Sequence, residues 1–274
     1  MDLLYRAGTL KSYAFSSWIP KWTGDHFPKT ISNWRGAQGT FCAGRRVAAH
    51  VQLSSSDSTI LQISGFAMDT ITKIGNVTTV ENDLISFINS IRQTVGERKS
   101  YPGFEALEDI MLKLPIGNAG RPYSEPDDDI LVPHKALWAD EWSWVGGPSF
   151  DFSREGIASV TSIREMMEFL KKPKTTRESG WKYWATAAAF ARRIPQARVC
   201  ETAKGYLGLV CGDAKVEDQI CVFHGGAVPF ILRPADQSDS KKTWSLIGEC
   251  YIHGIMYGEA LSWSGIKEEE FCLR

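Results

Sequence analysis

The hydrophobic period of this chain changes twice along its length, from about two to about 3.6 and back to two. The outer parts therefore favour strands and the middle favours helices. Strand-like runs fall at residues 13–19, 47–53 and 59–74, with Gly65 marking a bulge or bend. At Thr78 the pattern turns helical: Thr78-x-x-Glu81 has capping-box spacing, and Leu84, Ile88, Ile91 and Val95 share one face before Gly96 stops the helix. A second helix is expected over 104–114, ended by Pro115, and two more over 153–172 and 177–193, separated by Pro173 and ended by Pro195. Period two then returns at 198–202, 206–210, 219–224, 228–233 and 243–255, with Gly225-Gly226 as a hairpin turn.

Strands at both ends around a helical middle predict an α+β fold: a small β-barrel or curved antiparallel sheet closed by N- and C-terminal strands, with a helical insertion. The expected organisation is a single domain over 1–274, with barrel strands from 13–75 and 196–264 and an insertion at 78–194. A C-terminal barrel standing alone is the alternative. Between Pro115 and Pro133 the chain is rich in Gly, Pro and Asp and reads as a long acidic surface loop.

At 274 residues with 43% hydrophobic content, the chain can bury a sizeable core without staples. Its formal charge of -1 argues against a dedicated nucleic-acid coat or a polybasic membrane protein. The most apolar run, 185–191, is far too short to cross a bilayer. The first residues carry no basic run followed by an apolar stretch, so no secretory signal is expected, and six scattered cysteines without a C-x-x-C pair suit a reduced, cytoplasmic setting. Residues 164–204 hold ten Lys or Arg against four Glu, and 125–155 hold eight acidic residues against two basic. Mutual neutralisation or solvated faces explain this more simply than a nucleic-acid surface, although Trp181, Tyr183 and Trp184 interleave the basic residues.

Cys221-x-x-His224 and Cys250-x-x-His253 invite a zinc reading, but residues three apart on a strand face opposite sides, so no metal is expected. In the last strand Trp244, Leu246, Gly248, Cys250 and Ile252 are expected on one face as core. Glu249, Tyr251 and His253 occupy the other, where with Arg233 and Glu259 they could bind a polar ligand or move protons. A structural ion-pair network is the plainer account of the same five residues. No G-x-S-x-G elbow, Walker loop or dinucleotide fingerprint is present, so neither a catalytic residue nor a cofactor is expected.

The segments 205–209, 218–226, 229–234 and 248–259 (Gly-Tyr-Leu-Gly-Leu, Asp-Gln-Ile-Cys-Val-Phe-His-Gly-Gly, Pro-Phe-Ile-Leu-Arg-Pro and Gly-Glu-Cys-Tyr-Ile-His-Gly-Ile-Met-Tyr-Gly-Glu) stand in an order that resembles fungal heterokaryon incompatibility (HET-domain) proteins. The resemblance is to the β-barrel region that follows their HET domain. Residues 17–22 and 61–71 look like further segments of it. Tyr257 stands where the family often has Asp, and Glu217 where a Gly before Asp218 is usual. The expectation is a barrel region without the HET domain, because barrel-like sequence begins by about residue 15. The resemblance implies a non-catalytic recognition or regulatory module of nonself recognition, acting through a protein partner that could itself be a HET-domain protein. It implies no membrane, and nucleic acid is not expected. The alternative is an enzyme or small-ligand binder using Arg233, Glu249, Tyr251, His253 and Glu259.

Overall fold

A computed structural model describes residues 16–19, 41–45, 47–78, 84–98, 100–103, 105–107, 196–235 and 242–274, together with Leu4, Ile110 and Leu114. The chain divides into two compact units, Met1–Ile74 with Cys200–Arg274, and Gly75–Val199. Expectations for the helices at 153–172 and 177–193 and for the acidic loop at 115–133 lie outside the described residues.

The first unit is an antiparallel barrel. Its strands are β1 (Val51–Leu53), β2 (Leu61–Ile74), β3 (Ala197–Thr202, which enters from the second unit), β4 (Leu207–Cys211), β5 (Gln219–Phe223), β6 (Phe230–Pro234), β7 (Thr243–Ile252) and β8 (Glu268–Leu273). Six of them form a closed ring in the order β2-β3-β4-β7-β6-β5, with β5 returning to β2. The fold is thus the expected α+β arrangement, with strands from both parts of the chain closing the sheet. The 14-residue β2 makes closure possible: its start pairs with β8 and β1, its middle with β5, and its end with β3. Register shifts at Ala67–Asp69 and Ile71–Lys73 bend it. The bend expected at Gly65 is therefore displaced by a few residues. Gly65 is needed for close approach instead, since a Cβ there would lie 2.5 Å from the Val222 carbonyl oxygen.

Small barrels fill their interiors with side chains. Here Met68, Ile71, Val210, Ile220, Val222, Ile231, Cys250 and Ile252 belong to one buried cluster. Around the ring β4 and β5 stand three places apart, at opposite sides, so residues 212–218 must cross one end. This crossing carries fully buried Ala214 into the core cluster. Residues 253–267 connect β7 to β8, which pair in parallel, and bring Ile255 and Ala260 into the same cluster. Two connections thus cap an apolar interior.

Several sequence expectations need correction. Ser16–Ile19 form a turn and bend rather than the end of a strand. The strand pattern does not stop at 264, because β8 runs through Glu268-Glu269-Glu270, residues that seldom favour strands. In β7 the five residues Trp244 to Ile252 do not share one face. Ile231 pairs with Gly248 but Leu232 pairs with Leu246, so Ile247 is an inserted residue that switches the alternation. Ile247 joins Cys250 and Ile252 in the interior cluster, whereas Trp244 packs near Phe271.

Ser17 ties three parts of this unit together. Its hydroxyl accepts the Leu246 N–H at 2.8 Å and donates to the Arg274 carbonyl, while neighbouring Ser16 and Trp18 both donate to the Thr59 carbonyl. Ser17→Ala leaves the Leu246 amide without its acceptor, and urea unfolding should show a loss of about 1–2 kcal/mol.

In the second unit the helix α1 spans Leu84–Val95 and ends at Gly96, whose φ of 62° is the left-handed value a helix stop uses. Glu81 and the other residues between Thr78 and this helix lie outside the described residues. Thr78 lies in an extended pair, its N–H donating to Ala197 and its carbonyl accepting from Gln196. Leu107 and Ile110 are helical, as expected for the next segment.

Candidate functional site

The five polar residues singled out in the sequence fall at different places on the barrel. Arg233 lies opposite Ser245 near the start of β7, whereas Tyr251 lies opposite Leu209 near its end, and His253 follows. At about 3.3 Å per strand residue, Arg233 and His253 are roughly 25 Å apart along β7.

Arg233 holds the crossing connection. Its Nε and Nη2 donate to the two Asp218 carboxylate oxygens, both at 2.8 Å, and Nη2 also donates to the Asp213 carbonyl at 2.8 Å. Asp218 is 2% exposed and additionally accepts the Lys215 N–H at 2.7 Å. The hydrogen bonds to Asp218 raise the Arg233 pKa above its ordinary value, so the guanidinium is a permanent charge. Beside this pair, Glu217 adopts φ 74°, the left-handed region where the resemblance expects Gly. Glu217→Gly should stabilise the barrel by about 1 kcal/mol, read as a higher urea midpoint, because glycine adopts this conformation without a Cβ penalty.

Tyr251 and His253 do meet. The Tyr251 hydroxyl and His253 Nδ1 are 2.7 Å apart, and the residues are 1% and 5% exposed. Both point away from the barrel interior that Cys250 and Ile252 fill. Phe41 covers Tyr251, packing 6.2 Å from its ring and 5.7 Å from that of Tyr257. The cover is pinned by backbone bonds from Cys42 to Met256, Ala43 to Ala227 and Gly44 to Gly226. Gly44 sits so close that a Cβ would lie 2.1 Å from the Phe223 carbonyl oxygen. Gly44→Ala should therefore lift the cover at a cost of about 1–3 kcal/mol, with faster amide exchange at Ala43 and Gly44.

Glu249 is half-buried opposite Phe230. Glu259 is exposed and accepts the Tyr257 N–H at 2.7 Å. The C-x-x-H residues are also engaged elsewhere: His224 Nε2 lies 2.9 Å from Glu268, and its ring meets Phe66 edge-on. Among the described residues no group of three or more His, Cys, Asp or Glu could hold a metal ion. Burial pushes the thiols of Cys200, Cys221 and Cys250 well up and that of Cys211 up to about 11, which leaves them protonated and poorly nucleophilic near neutrality.

Sequence reasoning did not find Asp218 as the partner of Arg233, nor Phe41 as the cover of Tyr251. Asp218 lies just before a strand within a run noted only for its resemblance. Phe41 is isolated between stretches without period.

Residues 164–273 match the family model of the Het-6 beta-barrel domain. The chain is also 22% identical over 268 residues to heterokaryon incompatibility protein 6, OR allele, of Neurospora crassa, a similarity covering 89% of this chain. It spans 37% of the length of that relative. No solved structure matches. A closed barrel assembled from segments in the order quoted above, together with these two similarities, relates the chain to the fungal heterokaryon incompatibility proteins through their β-barrel region.

Proposed function

We propose that this barrel is a non-catalytic recognition or regulatory module of nonself recognition, working in the cytoplasm through a protein partner such as a HET-domain protein. One observation carries the reading: among the described residues, the polar groups singled out for chemistry, Arg233, Tyr251 and His253, are engaged in holding the fold. Arg233 and Asp218 secure a connection across the barrel end, and Tyr251 and His253 are buried against each other. Such an object presents a stable outer surface for a partner to read. The relationship to heterokaryon incompatibility protein 6 supplies the biological setting.

The test is growth of a fungal host expressing the chain, with and without a full-length heterokaryon incompatibility protein. The expected result is normal growth with the chain alone and an altered incompatibility response when both are present. Growth arrest by the chain alone would overturn the non-catalytic reading. The second reading, a small-ligand binder, rests on the Tyr251–His253 contact. It expects Tyr251→Phe to abolish ligand binding while the fold survives.

A further inference from the structure

We infer that residues 41–45 form a strained strap that opens as a unit while the barrel stays folded, and that opening uncovers Tyr251. The inference goes beyond the recognition reading and does not rest on it. Arg45 has φ 51°, a left-handed conformation in which its Cβ crowds its own backbone. Strain of this kind persists only where the surroundings over-determine it. Here the Arg45 N–H donates to the Cys42 carbonyl at 2.8 Å, which closes residues 42–45 into a turn. The Arg45 side chain then lies over Gly258: a Cβ on that glycine, itself at φ 84°, would sit 2.8 Å from the Arg45 Cγ, and Arg45 Nη2 donates to the Gly258 carbonyl at 3.4 Å. Gly44 makes the other close approach, against the Phe223 carbonyl. Two glycines thus admit the closed strap, one on it and one beneath it.

The attachments of the strap are few. Among the described residues it belongs to no strand. The N–H groups of Cys42, Ala43 and Gly44 donate to Met256, Ala227 and Gly226, carbonyls that lie in connections rather than in the ladders of the ring. Two apolar side chains anchor it: Ala43 is 1% exposed in the interior cluster, and Phe41 is 4% exposed against Tyr251 and Tyr257. A segment with a handful of bonds, two apolar anchors and stored strain belongs at the low end of the range of opening free energies within a protein, below the strands of a closed ring. When Phe41 leaves, Tyr251 loses the ring that covers it, while β7 stays paired with β4 and β6. The strain at Arg45 sets how often this happens.

The experiment is amide exchange on the full chain at urea concentrations below the unfolding transition, with acetylation of Tyr251 by N-acetylimidazole read by mass spectrometry. The amides of Cys42, Ala43 and Gly44 are expected to exchange together, roughly a hundredfold faster than the hydrogen-bonded amides of β5 and β6 and with little dependence on urea, because a local opening exposes little surface. Tyr251 should be acetylated in step with them. Arg45→Gly relieves the strain and should slow both readouts roughly fivefold, whereas Gly44→Ala should speed them. Glu217→Gly relieves left-handed strain elsewhere in the barrel and should leave both unchanged. Strap amides that merge with the strand amides at every urea concentration would overturn the inference, as would equal slowing by Arg45→Gly and Glu217→Gly. Fast exchange without acetylation of Tyr251 would mean that the strap frays without uncovering the ring, and would overturn it as well. The fungal growth assay decides the recognition reading separately, since neither readout involves a partner.

Discussion

Raising the pH from 8 to 10 is expected to remove roughly 5 kcal/mol of barrel stability, measured as the urea unfolding free energy at each pH. Burial raises the pKa of Cys200, Cys211, Cys221 and Cys250 above the ordinary value of 9.0. The folded barrel keeps these four protons when the unfolded chain gives them up. Stability is thus fully present below the unfolded pKa and is lost as pH rises toward the folded values. Each retained proton costs about 1.4 kcal/mol over that whole window, because the slope reaches about 1.4 kcal/mol per pH unit only above the unfolded pKa. Replacing Cys250, which is fully buried in the interior cluster, by Ala lowers stability at pH 7 through the small void it leaves, but should make the alkaline slope about one quarter shallower. An unchanged slope in that variant would assign the alkaline loss to other groups.

Arg233→Ala should cost about 3–5 kcal/mol at pH 7, because it leaves the Asp218 carboxylate buried with its main cationic partner gone. The Lys215 N–H, which donates to the Asp218 carboxylate at 2.7 Å, remains in this variant. Arg233→Lys should recover only part of the loss, since an ammonium cannot reproduce two parallel bonds to the carboxylate while also reaching the Asp213 carbonyl. The double variant Arg233→Ala, Asp218→Asn should be less damaged than the two single losses added together, a coupling that isolates the pair. A single-variant loss below about 1 kcal/mol would mean that the connection is held by its buried Ala214 rather than by the ion pair.

Much of this architecture is legible in the sequence, and the exceptions have physical causes. Alternation locates the barrel strands between Ala197 and Ile252 to within a few residues, because their inward positions are apolar and their turns carry glycine. β8 escapes because three consecutive glutamates begin it: only its last residues, Phe271 to Leu273, are buried. The face assignment in β7 fails at one inserted residue, Ile247, which sequence alternation cannot reveal since every residue around it is apolar or small. For the candidate cluster, periodicity correctly sets Tyr251 and His253 on one side of β7. Closeness in sequence groups Arg233 with them, whereas the β6–β7 register carries it toward the other end of that strand. Its true partner, Asp218, is joined through a crossing of the barrel end that only the strand order discloses.

The position of β2 in the ring also has a consequence during synthesis. Of its four neighbours among the described residues, β1 precedes it and β3, β5 and β8 follow, the last ending at Leu273. About 200 residues separate the end of β2 from that point. At a ribosomal pace of about 5–20 residues per second, β2 must wait roughly 10–40 s before all its edges can be paired. A nascent chain carrying a 14-residue strand with open edges for that long is a natural client for a holding chaperone, and slowed elongation after residue 74 should raise aggregation more than slowed elongation before residue 61.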